Sequence, residues 1–401
     1  MNEHRLRAEL RRTRPPDAAE TQQRARAVVL AAYDGARANA GTNPPPPRRR
    51  VGAALPVAVA LLLALVGGAV AATPPGEAVT DWVRDLLGRS SPAPEPAPAL
   101  TRLPGDGRVL VAGASGAWIV HADGSRRRLG AYDEATWSPR GLFVGAVRGR
   151  QLVALDSGGD VRWALARPDR VHDPRWAPSG FRVAYRSGSS LRVVAGDGSA
   201  DRLVADRVAP VAAAWRPAEG RNELAYVDGA GRVVVVDADS GRTLARLRPG
   251  VTPRRLQWTP SGERLLASGV RGVRLLSMAR SARTLATATT GTEFADTVLS
   301  PDGRRIALLR RSTTTARAEV LVTKIAGRPR SLFGAAGPIR SLTWSPGGRL
   351  ILADWAGADQ WLFLPAHAGA RASAVAGIAA QFDLSRAHPR RGINVEGWCC
   401  S

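Results

Sequence analysis

A short motif that recurs six times constrains the fold of this chain more than any other feature of its sequence. Successive copies begin 39, 39, 43, 41 and 45 residues apart, and an apolar run follows each one. A proline two places after the lead residue and a glycine shortly beyond it are the chemistry of a tight turn. The copies read WSPRG at 137–141, WAPSG at 176–180, WRPAEG at 215–220, WTPSG at 258–262, LSPDG at 299–303 and WSPGG at 344–348.

The unit that begins at Trp176 shows what one repeat contains. Three runs of strand-forming residues follow its turn, at 181–185, 191–195 and 202–205, with polar turns between them. Together with the strand that carries the tryptophan, they make four antiparallel strands. A lone four-stranded sheet leaves both faces in water, so such units must stack around an axis. The predicted fold class is therefore all-β, a β-propeller of four-stranded blades.

We expect the lead tryptophans to pack between neighbouring blades, because each one occupies the same place beside its turn. Burial of an indole removes roughly 150–250 Å² from water, and its loss costs about 3–5 kcal/mol. A ligand-binding cage is the functional alternative. The residues that we assign to this structural motif are Trp137, Pro139, Gly141, Trp176, Pro178, Gly180, Trp215, Pro217, Trp258, Pro260, Gly262, Pro301, Gly303, Trp344, Pro346 and Gly348.

The turn and the strand after it resemble the repeat of TolB-type propellers, which are relatives of the WD-repeat propellers. The resemblance covers roughly residues 104–400 and rests on six copies in phase. Leu299 departs from it by replacing the aromatic lead residue, and the Trp-Asp dipeptide that closes a WD repeat is absent. The resemblance implies a propeller and supports no particular role in envelope integrity.

The number of blades depends on the two ends of the repeat region. Six motifs give six blades. Ahead of them, residues 108–112, 118–121 and 127–129 read as three strands without a motif strand, and behind them 381–385 reads as a motif strand without a blade. A seventh blade built from both ends would close the ring and remove an exposed sheet edge. We therefore predict seven blades, with six as the alternative.

An apolar segment near the N-terminus predicts a membrane anchor. Residues 51–72 contain no charged side chain, and as a helix they would extend ~33 Å, enough for a ~30 Å hydrocarbon core. The 50 residues before them hold 11 arginines and 5 acidic residues, which places the N-terminus in the cytoplasm and the propeller outside. We predict an uncleaved signal anchor in the cell membrane. A buried core helix and a signal peptide cleaved after residues 69–71 are the alternatives.

These features divide the chain into four parts. Residues 1–50 form an Arg-rich cytoplasmic segment whose helix, 17–38, has a narrow apolar stripe that could meet a cytoplasmic partner, pack on itself or lie on the inner leaflet. Residues 51–72 are the anchor. Residues 73–103 hold a short amphipathic helix, which includes Trp82, and a proline-rich linker. Residues 104–401 form the extracytoplasmic propeller.

The charge of the chain is strongly positive, with 57 basic residues against 34 acidic ones and a net charge of +23. Lys324 is the one lysine, and the abundance of Ala, Gly and Arg suggests a GC-rich bacterial genome. Most arginines are scattered, so we favour a solvated arginine surface over nucleic-acid binding, with anionic lipid or acidic wall polymers as further partners. The two cysteines, Cys399 and Cys400, could form a disulfide between neighbours, link two chains or stay reduced.

The sequence contains no enzyme motif that we can identify. G-x-S-x-G and H-E-x-x-H are absent, and the five histidines lie far apart. We expect His172 and Asp173 to be structural, and we predict no catalytic residue, cofactor or metal. The predicted function is a membrane-displayed propeller that binds a protein or an envelope ligand. A hydrolase or lactonase with a site at the central channel is the alternative.

Overall fold

Twenty-eight strands form seven antiparallel sheets of four strands each in the part of the chain that the structure describes. This computed structural model describes residues 102–218, 220–325, 327–367, 371–382 and 392–400. All of them belong to the second of the two units into which the chain divides, Glu77–Ser401. The predicted all-β propeller is confirmed, and seven is the correct number of blades.

The strands follow one another with short turns between them. The first eleven are β1 Arg108–Gly113, β2 Ala117–Val120, β3 Arg126–Gly130, β4 Glu134–Trp137, β5 Phe143–Arg148, β6 Gln151–Asp156, β7 Val161–Ala166, β8 Val171–Trp176, β9 Arg182–Ser187, β10 Ser190–Ala195 and β11 Arg202–Ala205. The next eight are β12 Ala214–Trp215, β13 Glu223–Val227, β14 Val233–Asp237, β15 Thr243–Leu247, β16 Arg255–Trp258, β17 Arg264–Gly269, β18 Gly272–Ser277 and β19 Ala282–Thr287. The last elements are β20 Thr292–Leu299, β21 Arg305–Ser312, β22 Arg317–Lys324, β23 Arg330–Ala336, β24 Leu342–Trp344, β25 Leu350–Trp355, β26 Gln360–Pro365, β27 Ser373–Ala376, the short helix α1 Ile378–Gln381 and β28 Ile393–Cys399.

Each blade from 2 to 7 takes four consecutive strands, whereas blade 1 combines β28 with β1, β2 and β3. The strand that leads each blade touches the leading strands of both neighbouring blades, so these strands form a closed inner ring. We call them the inner strands; they are β28, β4, β8, β12, β16, β20 and β24. They line the axial channel of the propeller.

Antiparallel pairing gives the ring two different faces. The turns between first and second strands, which contain the motifs, emerge on one side, and we call it the motif face. The turns between second and third strands and the connections between blades emerge on the other side, which we call the loop face.

The motif turns are built alike. In the five-residue motifs the glycine donates its N–H to the carbonyl oxygen of the residue three places before it, for example Gly141 to Ser138 at 2.9 Å and Gly303 to Ser300 at 2.8 Å. These two glycines have φ values of 62° and 68°, a region that L side chains rarely adopt. Glycine is therefore required at the last position of the turn.

The lead tryptophans lie between blades. Trp215, Trp258 and Trp344 are buried, and each indole Nε1 donates to a carbonyl oxygen on the preceding blade, at 2.9–3.1 Å. The acceptors are the carbonyls of Arg175, Ala214 and Val298. A lead residue therefore contributes both apolar area and a directional bond to the contact between two blades.

Arginines reinforce three of these contacts. Arg305 lies over the ring of Trp344 on the next blade, with its guanidinium carbon 5.1 Å from the centroid, and donates to the carbonyl of Gly348 at 2.6 Å. Arg108 makes the same pair of contacts with Trp137 and Gly141, and so does Arg216 with Trp258 and Gly262. Each is a cation–π contact combined with a charge-assisted hydrogen bond across a blade boundary.

The strand that closes the ring is not the one that the sequence predicted. Residue 381 ends helix α1, and Phe382 is fully buried against Trp361 and Trp118, at centroid distances of 5.4 and 5.9 Å. Gln381 and Phe382 are therefore not part of a strand, and residues 383–385 lie outside the described residues. The closing strand is instead β28, which pairs with β1 from Arg108↔Cys399 to Gly113↔Ile393.

The described residues contain no helix that is long and apolar enough to cross a membrane. The predicted anchor at 51–72, the predicted helix at 17–38 and the predicted short helix that includes Trp82 lie outside the described residues.

Candidate functional site

Charged side chains from five inner strands and their flanks converge on the axial channel. We call this group the channel cluster; its members are Glu134, His172, Asp173, Arg175, Arg255, Asp296 and Glu396. They alternate along their strands with buried apolar residues, as on β16, where Arg255 and Gln257 are partly exposed while Leu256 and Trp258 are buried. Period-two alternation therefore aims the polar side chains at the channel and the apolar ones at the blades.

β-Bulges adjust this alternation on three inner strands. The register shifts on β8 between His172 and Arg175, on β20 at Ala295 and on β28 at Glu396. Asp173, within the first bulge, has φ 55°, which is uncommon for a residue other than glycine. A bulge re-aims a side chain and commonly lies beside a functional site.

Glu134 connects blades 2 and 3 at the channel. Its Oε1 lies 2.8 Å from Nδ1 of His172, and its Oε2 accepts the backbone N–H of Asp173 at 2.6 Å. The carboxylate of Asp173 in turn accepts Nε–H of Arg186 at 2.7 Å. His172 and Asp173, which we expected to be structural, therefore lie in the channel cluster. The carboxylates of Glu134 and Asp173 already interact with protein groups.

Asp296 makes the equivalent connection between blades 5, 6 and 7. Its Oδ1 accepts bonds from Arg255 Nη1 at 2.5 Å and from the backbone N–H of Thr297 at 2.8 Å. Its Oδ2 accepts the backbone N–H of Leu342 at 3.0 Å. Three donors thus hold this carboxylate, which leaves it little capacity to act as a base or a metal ligand.

Glu396 differs from the other carboxylates of the channel cluster. It keeps a small part of its surface open to the channel, and its side chain accepts no hydrogen bond from a described residue. Burial raises the pKa of Glu396 to about 7, with Arg175 opposing the rise and Glu134 adding to it. Near neutral pH this carboxyl is divided between its charged and neutral forms.

A cavity of about 270 Å³ opens beside the channel cluster on the loop face, and we call it the mouth cavity. Asp173, Arg175, Arg254, Arg255 and Asp296 are among its lining residues. Arg175 and Arg254 form no ion pair with any carboxylate that the structure describes. Two guanidinium groups therefore face this cavity without an ion pair to a described carboxylate, and Arg175 acts on Glu396 only as a nearby charge.

The residues that the sequence singled out lie elsewhere. The motif tryptophans, prolines and glycines belong to the blade contacts and to the turns of the motif face, and none of them lines the mouth cavity. Cys399 and Cys400 form a disulfide between adjacent residues at the end of β28. Within the described ranges, no group of three or more His, Cys, Asp or Glu is arranged to hold a metal ion.

A signal for the channel cluster does exist in the sequence. In four of the six motifs the residue three places before the lead residue is charged, namely Glu134, Asp173, Arg255 and Asp296. Charged side chains are rarely buried in an apolar core, so charges that recur at one place of the inner strands indicate that this place faces the channel. Glu396 had no such signal because its strand carries no motif, and His172 and Arg175 stand at other places on β8.

Comparison with known proteins found similar chains among solved structures. No protein-family model matches the chain, and no curated protein matches it. Hydrazine synthase from Kuenenia stuttgartiensis is 17% identical, with a TM-score of 0.47 over 58% of this chain and 75% of that one. The propeller domain of Cps50 (Swd1) from Myceliophteria thermophila is 14% identical, with a TM-score of 0.47 over 61% and 85%.

A TolB from Agrobacterium tumefaciens is 17% identical, with a TM-score of 0.43 over 62% of this chain and 97% of that one. At such identities and TM-scores, none of the three assigns an activity or a partner to this chain. The described residues form a seven-bladed β-propeller with a charged axial channel, and its function has to be argued from that channel.

Proposed function

We propose that this chain is a single-pass membrane protein that displays its propeller outside the cytoplasm as a non-catalytic binding module. The ligand binds on the loop face, at the mouth cavity. The uncharged segment 51–72 and the arginines before it support the anchor and its orientation.

One observation carries the binding role: three of the four carboxylates of the channel cluster are held by protein donors, whereas Arg175 and Arg254 form no ion pair with a described carboxylate. Glu134, Asp173 and Asp296 each accept hydrogen bonds from protein donors. Arg175 and Arg254 line the mouth cavity and form no ion pair with a carboxylate in the described part of the chain. Because a guanidinium group presents several donors in a fixed plane, such a site is suited to hold a negatively charged group of a ligand.

Glu396 favours a second candidate function, an enzyme with its site in the channel. A carboxyl group whose pKa is about 7 can transfer protons at neutral pH, as a general acid or base must. The described channel offers no nucleophile held by a base beside it, so binding remains our conclusion.

Photo-crosslinking in cells tests the proposal. A photoreactive residue at Thr252, which is exposed on the loop face, should give a discrete adduct with the full chain. The same residue at Ser179, which is exposed on the motif face, is the matched control and should give none. Adducts of equal yield from both positions, or an adduct from Ser179 alone, would place binding elsewhere and reject the proposal.

A further inference from the structure

We propose that the ligand of the loop face is a flexible polymer that carries phosphate groups, and that it crosses three adjoining cavities of the propeller. This inference rests on the proposed binding function and adds the chemistry of the ligand and the extent of its site.

The three cavities meet at one hairpin, residues 269–272 between β17 and β18. Gly269 lines the mouth cavity, while Val270, Arg271 and Gly272 line a second cavity of about 410 Å³, the hairpin cavity. Arg271 donates to the carbonyl of Thr292 at 3.2 Å, and Thr292 lines a third cavity of about 340 Å³, the blade 6 cavity. A ligand longer than one cavity can therefore continue from one to the next across this hairpin.

Arginine dominates the linings of these cavities. Three acidic residues, Asp173, Asp296 and Glu319, accompany eight arginines, which are Arg175, Arg254, Arg255, Arg271, Arg274, Arg310, Arg311 and Arg317. Four of the eight, Arg175, Arg254, Arg271 and Arg274, form no ion pair with a carboxylate in the described part of the chain. Arg254 and Arg271 are exposed, as in the solvated arginine surface that the sequence favoured, whereas Arg175 and Arg274 are partly buried beside these cavities, which solvation alone does not explain.

Arg274 is the sharpest indication of a missing anion. It lines the hairpin cavity, and its Nε is buried without a hydrogen-bond partner in the structure. No acidic residue lines that cavity. A buried donor without a partner costs about 1–3 kcal/mol, more when it is charged, and a bound oxyanion would satisfy it.

Hydroxyl groups beside the arginines favour phosphate over carboxylate. Thr252, Thr284 and Thr287 line the hairpin cavity, and Thr289 and Thr292 line the blade 6 cavity. A phosphate group offers more acceptor oxygens than a carboxylate does, in a tetrahedral arrangement that donors from several sides can reach. Arginine and hydroxyl donors together are the side chains that commonly bind it.

The linings argue against a nucleic acid as the polymer. Proteins that hold single strands place exposed aromatic rings between the bases, in addition to basic side chains. Phe294 is the one aromatic residue in these three linings, and it is 6% exposed. The site therefore offers charge and hydroxyls along a path, without platforms for bases.

Binding of linear polyphosphate to the full chain in detergent tests this inference. We expect polyphosphate to bind more tightly than inorganic phosphate, with an affinity that falls steeply as salt rises. Arg271→Ala combined with Arg274→Ala should weaken binding at least tenfold. The matched control, Arg140→Ala with Arg304→Ala, removes the same charge from exposed positions on the motif face and should change the affinity less than twofold.

Several results would overturn the inference. Equal loss of affinity in the two double variants would mean that net charge alone attracts the polymer. Equal affinity for inorganic phosphate and polyphosphate would leave a single anion site, and tighter binding of single-stranded DNA would identify the ligand as nucleic acid. If polyphosphate fails to bind while crosslinking from Thr252 succeeds, the proposed binding function stands and the phosphate polymer is wrong.

Discussion

Trp398 donates a hydrogen bond from its indole Nε1 to the carbonyl oxygen of Asp106, 2.9 Å away and 292 residues earlier in the chain. Trp398 lies one residue before the end of β28, the inner strand of blade 1, close to the place that the lead residue has in the other blades. Gly107, with φ 99°, then supplies the glycine of the turn from the opposite end of the described chain. The seventh motif is thus divided between the two ends, and the same closing strand brings Glu396 into the channel.

Removal of the closing strand should open the ring. Deletion of residues 392–401 from the full chain removes β28 with its Trp398, exposes the edge of β1 and uncovers the apolar cluster that holds Leu103 and Trp361. We expect aggregation or loss of cooperative thermal unfolding, measured by circular dichroism and light scattering.

Deletion of residues 1–100 is the control for that truncation. It leaves every described strand in place, and we expect a soluble product that unfolds cooperatively. A C-terminal truncation that melts like the parent chain would show that β28 does not hold the ring closed.

The lead tryptophans should contribute strongly to stability. Trp215→Ala and Trp258→Ala each remove a buried indole and its bond to the preceding blade, and we expect a loss of about 3–5 kcal/mol in the free energy of unfolding. Phe181→Ala, at a position that is 72% exposed, should change it by less than about 0.5 kcal/mol. Trp82→Ala should behave like Phe181→Ala. Similar small effects on the free energy of unfolding in all four variants, measured by chemical unfolding, would show that Trp215 and Trp258 are not core residues.

Asp354 should make stability depend on pH. This residue is 3% exposed, its Oδ2 has no hydrogen-bond partner, and burial raises its pKa to about 7 against the opposing charge of Arg340. Between about pH 4 and pH 7 the folded chain therefore holds a proton that the unfolded chain releases. Its contribution to stability is complete below the unfolded pKa and is lost as pH rises through 7.

Asp354→Asn stays neutral at every pH, so it should unfold like the parent near pH 4 and be more stable at pH 8, by on the order of 4 kcal/mol. Asp302→Asn is the opposite control, since the Ser300 hydroxyl lowers the pKa of Asp302. It should lose stability at pH 8 and approach the parent at low pH. A difference between Asp354→Asn and the parent that does not change with pH would contradict this assignment.

The membrane topology can be tested with a reporter that is active only outside the cytoplasm. Fused after Ser90, it should be active, because the arginines before residue 51 hold the N-terminus inside. Placed ahead of Met1 of the full chain, it should be silent. The reverse pattern would invert the proposed orientation.

The repeat unit was predictable because its turns need particular residues. Pro139 and Gly141 set a turn that few other residues can form, and the apolar run after them reads as a strand in every copy. Four-stranded blades and the strands at 108–112, 118–121 and 127–129 follow from that pattern. The structure has them as β1, β2 and β3.

The closing strand was mislocated because its motif is divided. Trp398 is followed by Cys399 and Cys400, with no proline or glycine to mark a turn, and the matching glycine stands at 107. The apolar residues at 381–385 offered a better strand in sequence. Their Phe382 instead enters the core beside a short helix, a tertiary contact that local pattern cannot reveal.

Only part of the channel cluster could be predicted from the sequence. Charges three places before the lead residue were available from the sequence at Glu134, Asp173, Arg255 and Asp296. The hydrogen-bond partners of these charges could not be predicted, because bulges on β8, β20 and β28 shift the register that decides where each side chain points.

The most direct test of the binding role compares two changes in the same channel by crosslinking from Thr252 in cells. Glu396→Gln removes the one carboxyl suited to proton transfer and keeps its shape, whereas Arg175→Gln with Arg254→Gln removes the two unpaired guanidinium groups of the mouth cavity. We predict that Glu396→Gln keeps the adduct yield within about twofold of the parent, and that the double arginine variant loses the adduct. If Glu396→Gln abolishes the adduct while the double arginine variant retains it, the binding account is wrong.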